Sequence, residues 1–225
     1  MTKKPGRTVS IRDELAALKR ERIVEAAAAL FYDHGYENTT LDQVADRLGA
    51  NKPFIYNSFE SKGQLLAEIC SRGIATSLNA VNEALESRAS PSDCLRNFAK
   101  KFVLAVLNSQ KHVMVYMREE KNLLPDDAHR IAAMRRDFDR KLRKVLERGA
   151  ALGEFNIDDS GMAALAIDGL VSWTIVWFRP GGRLPADKVA DGLTKLILAL
   201  VSVQTLHDAE PKVARRPAAR AAQPR

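Results

Sequence analysis

The chain of 225 residues holds only two cysteines, Cys70 and Cys94. Neither sits in a C-x-x-C or other metal-ligand spacing, so no thiolate metal centre or disulfide framework is expected and a reducing cytoplasm is the simplest home. Long uninterrupted hydrophobic runs are also missing. The most apolar stretch, Met162 to Phe178, is broken by Asp168 and reads as too short to span a bilayer, so no membrane role is expected. The N-terminus carries charges without an apolar segment after them, which excludes a secretory signal in the residues present. No P-loop, G-x-S-x-G, H-E-x-x-H or dinucleotide fingerprint occurs, and Gly181-Gly182 follows a helical pattern rather than a strand. An enzyme is therefore not expected, nor is a cofactor. His129 near Asp126 lacks a second His or Cys at ligand spacing, so a metal is not expected either.

What is present is a soluble composition, 46% hydrophobic and 28% charged, with a net charge of +7 and a pI near 9.5. That excess permits an anionic partner without naming one. Much of it lies at the ends: Lys3, Lys4, Arg7 and Arg12 before the first helical pattern, and Lys212, Arg215, Arg216, Arg220 and Arg225 in a Pro/Ala-rich tail. Residues 1–13 and 207–225 read as a flexible basic arm and a disordered basic tail.

Between them the periodicity is helical throughout. A first helix from about Glu14 carries Ile23, Ala27, Leu30, Phe31 and His34 on one face and stops at Gly35. Thr40 and Gln43 form a capping-box pair ahead of Leu41, Val44, Ala45 and Leu48. Gly49 ends that helix, and Asn51 can cap a second short one beginning at Lys52-Pro53. Ser61 and Gln64 repeat the capping pattern. Helix, tight turn and helix is the geometry that lays a second helix in the DNA major groove, although a plain helical hairpin has the same spacing.

The residues from about Arg22 to Ile69 decide between the two. Ile23-Val24-Glu25-Ala26-Ala27, Leu30-Phe31, Gly35-Tyr36, Thr39-Thr40-Leu41, Val44-Ala45, Leu48-Gly49, Ile55-Tyr56, Phe59 and Lys62-Leu65-Leu66 closely resemble the DNA-binding domain of TetR-family transcriptional regulators. The resemblance implies that the third helix reads double-stranded DNA, with Thr40, Lys52, Pro53, Tyr56, Asn57 and Lys62 at the DNA-facing positions. Pro53-Phe54 and Ser58 depart from the family's usual residues, so individual base contacts do not carry over. By chemistry, Asn57 suits an adenine edge and Lys52 a guanine or a phosphate. The Lys62 cation opposes the dipole of its own helix, which an outside phosphate would relieve.

The fold class expected is all-α with about nine helices: a helix-turn-helix domain over 14–66 and a helical ligand-binding and dimerisation bundle over 67–206. Helices near 159–178 and 186–206 read as apolar almost all round, and a second copy of the chain could cover one side. TetR resemblance implies a homodimer through these last two helices, matched to a palindromic operator. The segment Trp173-x-x-x-Trp177-Phe178-Arg179-Pro180-Gly181-Gly182-Arg183-Leu184 is similar to a TetR branch that includes regulators of fatty-acid and steroid breakdown, several of which respond to acyl-CoA thioesters. It suggests an apolar pocket drawn from Phe98, Phe102, Met114, Met117, Phe138, Trp173 and Trp177, with Arg118, Arg179 or Arg183 holding an anionic head group. A regulator of drug efflux sensing lipophilic compounds, or a helical interaction protein without a specific DNA site, are the alternatives.

Overall fold

The computed structural model describes residues 10–202, so most of the expected basic arm and the basic tail lie outside the described residues. Among the described residues there are ten α-helices, one 3-10 turn and no strand: α1 Ile11–His34, α2 Leu41–Leu48, α3 Lys52–Tyr56, α4 Lys62–Glu86, α5 Pro91–Asn108, α6 Gln110–Glu119, the 3-10 turn Glu120–Asn122, α7 Pro125–Ala151, α8 Ser160–Ser172, α9 Thr174–Trp177 and α10 Ala186–Val201. The expected helix over 159–178 is broken at Trp173 into α8 and α9; counted as one, the set is nine.

Local chemistry sets the ends. α1 begins at Ile11 rather than near Glu14 because Ser10 caps it, its hydroxyl accepting from Arg12 N at 3.1 Å, and Asp13 and Glu14 favour the first turn. Gly35 closes it at φ 83°. The Thr40 box is complete: Gln43 N donates to Thr40 Oγ1 at 3.2 Å and Thr40 N donates to Gln43 Oε1 at 2.8 Å. The repeated box is only half made. Ser61 Oγ accepts from Gln64 N, but the Gln64 side chain accepts from Glu60 N instead of from Ser61 N.

Two buried clusters result. The first joins Ile23, Phe31, Val44, Ile55, Phe59 and Leu66 of α1 to α4, and it also takes in Val115, Tyr116, Leu123 and Ile131 from further along the chain. The second fills the space between the far half of α4, α5, α7, α8, α9 and α10. At its centre Phe98 and Phe102 stack at 5.4 Å between ring centres, with Phe138 5.0 Å from Phe102. Burying each such ring contributes roughly 2–3 kcal/mol. α4, about 37 Å long at 1.5 Å per residue, contributes to both clusters.

The last three helices are less covered than an all-round apolar pattern would need. Ala164, Ile167, Val171 and Ile175 face the core, whereas Met162, Leu165, Trp173, Val176 and Trp177 are exposed, as are Leu196 and Leu200 on α10. By length and composition alone Ser160–Trp177 passes for a membrane span, a test that apolar helices of soluble proteins also pass, and its helical course breaks at Trp173.

Candidate DNA-reading surface and effector cavity

α3 has only five residues, too few to be stable alone. Asn51 Oδ1 accepts from Phe54 N at 3.1 Å, and Pro53 sits in its first turn. Ile55 and Phe59 are fully buried and root the helix in the first cluster, while Tyr56 is 50% exposed and Asn57 is exposed at its end. Lys52 and Pro53 are exposed on the same short helix. Lys52 Nζ donates to Asp42 Oδ2 at 2.5 Å, tying α3 to α2 and holding the ammonium above its usual range. Thr40 is exposed; accepting the Gln43 bond leaves its hydroxyl proton available for an outside acceptor.

Lys62 is engaged inside the protein. Its Nζ donates to Tyr36 O at 2.8 Å and Glu37 O at 3.3 Å and lies 4.2 Å from the centre of the Tyr36 ring. These acceptors account for a cation at this helix start without any phosphate. The Tyr36 ring packs edge-on against Phe31 at 5.3 Å, plugging the join after α1.

Arg20 was not legible as a site residue. Its guanidinium donates to Ser58 O at 2.8 Å and Glu68 Oε2 at 3.1 Å and covers the Phe59 ring at 4.0 Å, clamping the turn after α3 between α1 and α4. Lys19 Nζ stands 4.3 Å over the Phe54 ring. Their partners lie some 35 to 48 residues away, so spacing carried no signal.

α6 links this head to the body. Arg118 Nη1 donates to Tyr32 O at 3.3 Å, and Tyr36 N donates to Glu119 Oε1 at 3.2 Å. Buried His112 places Nε2 3.2 Å from Glu25 Oε1, without the alignment a hydrogen bond needs. Burial lowers the His112 pKa. Glu25 pulls the other way, but its side chain is 59% exposed and its attraction is correspondingly screened.

A cavity of about 490 Å³ opens between α4, α5, α6, α7 and α8. Ile74, Phe102, Val106, Val113, Phe138 and Leu165 supply apolar wall; Tyr116, Arg135, Arg136, Asp139, Asp168 and Ser172 supply polar groups. Arg135 Nη1 donates to Tyr116 Oη at 3.2 Å, and Ser172 Oγ donates to Asp168 Oδ1 at 3.4 Å. Burial raises the Asp168 pKa, partly offset by the Arg135 charge. Cys70 also lines the wall, its thiol pushed up to about 12 by burial and therefore protonated.

The pocket residues read from sequence divide. Phe102, Met117 and Phe138 line the cavity. Phe98 lies in the aromatic stack and Met114 packs against the second cluster, neither on the cavity wall. Trp173 (62% exposed) and Trp177 (43%) turn outward, because Val171, Thr174 and Ile175 take the inward side of that segment. Arg179 is spent on the end of α9, donating to Val176 O and Phe178 O at 2.9 and 3.0 Å; Arg118, on α6, is spent on Tyr32 O of α1, and Arg183 is exposed in the turn before α10. Signals for the missed polar groups existed. Arg135 falls between Ile131 and Phe138 on the apolar face of α7, and Asp168 is the lone charge in an apolar helix.

Comparison with known proteins agrees with this architecture. Residues 23–69 match the family model for bacterial regulatory proteins of the tetR family, and residues 88–201 match the tetracyclin repressor-like C-terminal domain. The HTH-type transcriptional repressor KstR2 of Mycolicibacterium smegmatis is 26% identical over 184 residues, covering 81% of this chain and 90% of that protein. Among solved structures, the TetR family transcriptional regulator PfmR from Thermus thermophilus is 32% identical, covering 82% of this chain and all of that one, with a TM-score of 0.73. AibR in complex with isovaleryl coenzyme A and operator DNA is 27% identical, covering 79% of this chain and 97% of that one, with a TM-score of 0.68.

Proposed function

Because this chain belongs to the TetR family of DNA-binding transcriptional regulators, and is not an enzyme, we propose that it is a cytoplasmic repressor that a hydrophobic or acyl-CoA-type metabolite releases from a palindromic operator. The reading head spans residues 14–66 and the effector and dimerisation body 67–206. The observation that carries the reading is α3 itself: Tyr56 and Asn57 stand free on a helix whose Ile55, with the neighbouring Phe59, is fully buried. Such a helix offers polar side chains at fixed positions, which base recognition requires. Thr40, Lys52 and Pro53 complete the DNA face, and Lys62 offers a phosphate the one N–H not given to Tyr36 O and Glu37 O.

The exposed apolar side chains of α8, α9 and α10 support pairing with a second copy, since a patch of this kind on a soluble chain calls for a cover. A two-fold dimer presents two α3 helices to a two-fold operator. KstR2 is named a repressor, and AibR was solved with both an acyl-CoA and operator DNA. Those names motivate the effector class. Release follows if the effector binds the splayed dimer better than the DNA-bound one, as a ligand binding both equally shifts nothing.

Gel-shift titration at stated salt, on DNA from around its own gene, tests this. A complex that survives competitor DNA and dissociates on adding isovaleryl coenzyme A or a longer acyl-CoA is the expected result. Operator binding unchanged by every acyl-CoA that binds the protein contradicts the effector class.

A further inference from the structure

α6 and α7 face each other across the cavity. Among the described residues, the side-chain hydrogen bond that joins these two helices is Arg135 Nη1 to Tyr116 Oη, 3.2 Å. Tyr116 faces two ways. Its ring is buried in the head's cluster with Val115, Leu123 and Ile131, while its outer edge lines the cavity. One turn on, Arg118 and Glu119 bond the backbone of Tyr32 and Tyr36 at the end of α1 and the loop after it. A displacement of Tyr116 is therefore passed to the head by two bonds and a packed ring.

The charges around the bridge say what could break it. Arg135, Arg136, Asp139 and Asp168 line the cavity, two cations and two anions, and Arg143 pairs with Asp139 at 2.9 Å. With Asp139 taken up by Arg143, the surplus positive charge lies on Arg136; at Arg135 itself the Asp168 carboxyl already faces the guanidinium, so a second anion there meets repulsion. A neutral carbonyl oxygen can accept from Arg135 without that cost, while its apolar body lies along Phe102, Val106 and Phe138.

We infer that the effector presents a neutral carbonyl, a ketone or a thioester, to Arg135, takes the guanidinium from the Tyr116 hydroxyl, and so frees α6 to shift the DNA-reading head. This rests on the cavity being the effector site. The bridge acts as a lock on the DNA-binding state, and the carbonyl is the key group.

The test uses the full-length chain, its operator, and two probes of equal length, decan-2-one and decanoate. Tyr116→Phe keeps the ring and removes the bond; Arg135→Met keeps the length and removes the donor. Without probe, Tyr116→Phe is expected to bind operator about three- to tenfold more weakly than wild type, the loss of one hydrogen bond's net contribution, with a melting temperature lowered by no more than about 5 °C. Decan-2-one is expected to raise the wild-type melting temperature and weaken operator binding, to do so at least about tenfold more effectively than decanoate, and to have no effect on operator binding by Arg135→Met. If decan-2-one binds and releases wild type but both variants behave identically to it, the bridge is overturned while the cavity stands as the effector site. Equal potency of decanoate overturns the carbonyl assignment. If neither probe binds wild type and Tyr116→Phe holds operator normally, the inference and the cavity reading fall together.

Discussion

Asn57 and His112 show how differently single side chains can serve this molecule. Asn57 closes α3 with its backbone and leaves its amide in solvent, so Asn57→Ala should leave the melting temperature within about 1 °C while relaxing preference at one base position by roughly 1–3 kcal/mol. Binding-site selection against wild type checks this, and an unchanged preference at every position would remove Asn57 from the reading set. Lys62 is a poor choice for such an experiment, because its bonds to Tyr36 O and Glu37 O make Lys62→Ala a change in the head's structure as well as in any phosphate contact. His112 serves stability. Its pKa is depressed by burial, so as pH falls below the ordinary histidine value of about 6.5 the unfolded chain gains its proton before the folded one does, and stability is lost on acidification. Glu25, Arg72 and Lys111 bear on the ring from α1, α4 and α6, and Asp168, whose pKa is raised, acts with the opposite sign. The informative quantity is consequently the difference between wild type and His112→Phe: wild type should lose several degrees of melting temperature more than the variant between pH 7.5 and pH 5.5. Parallel pH profiles for the two would contradict the burial-dominated direction.

At the scale of helices, legibility followed the range of the signal. Capping chemistry acts over three residues, and Thr40, Asn51 and Ser61 all cap where their spacing indicates. Even there the Gln64 side chain went to Glu60, a choice between neighbouring donors that sequence does not rank. Which side of α8 and α9 faces inward was not legible, since Trp173 and Val171 are both apolar and only packing against α5 and α7 separates them. The polar side of the cavity was missed for the same reason: Tyr116, Arg135 and Asp168 come from three helices. One element is sharply constrained. A methyl added at Gly149 in α7 would stand 1.9 Å from the Phe155 ring, which is itself buried, so the chain can turn back under α7 only because that position has no side chain. Gly149→Ala should cost about 1–3 kcal/mol through overpacking, lowering the melting temperature by roughly 3–10 °C despite alanine's better helix propensity. A rise in melting temperature would show that Phe155 relaxes freely. The outer faces of α8 and α10 carry a different prediction: Leu196→Lys, at a position 55% exposed, should leave the monomer folded while shifting sedimentation from dimer to monomer at micromolar concentration. An undisturbed dimer would move the interface elsewhere.

Across the whole molecule, α6 touches the head on one side and the cavity on the other, and α4 runs through both clusters, so the two halves are mechanically joined rather than tethered. This arrangement suits a protein whose DNA affinity is set by what fills its body. The family membership and the all-helical architecture were readable from the dense motif over residues 22–69; the lock between Tyr116 and Arg135 needed three dimensions. Footprinting of the full-length dimer on DNA surrounding its own gene, repeated with Asn57→Ala, tests the central claim most directly. The account predicts a discrete protected region with two-fold sequence symmetry, its half-sites separated by about one or more helical turns of 10–10.5 base pairs, weakened by the variant. Protection spread evenly along the fragment, indifferent to sequence and to Asn57, would contradict it.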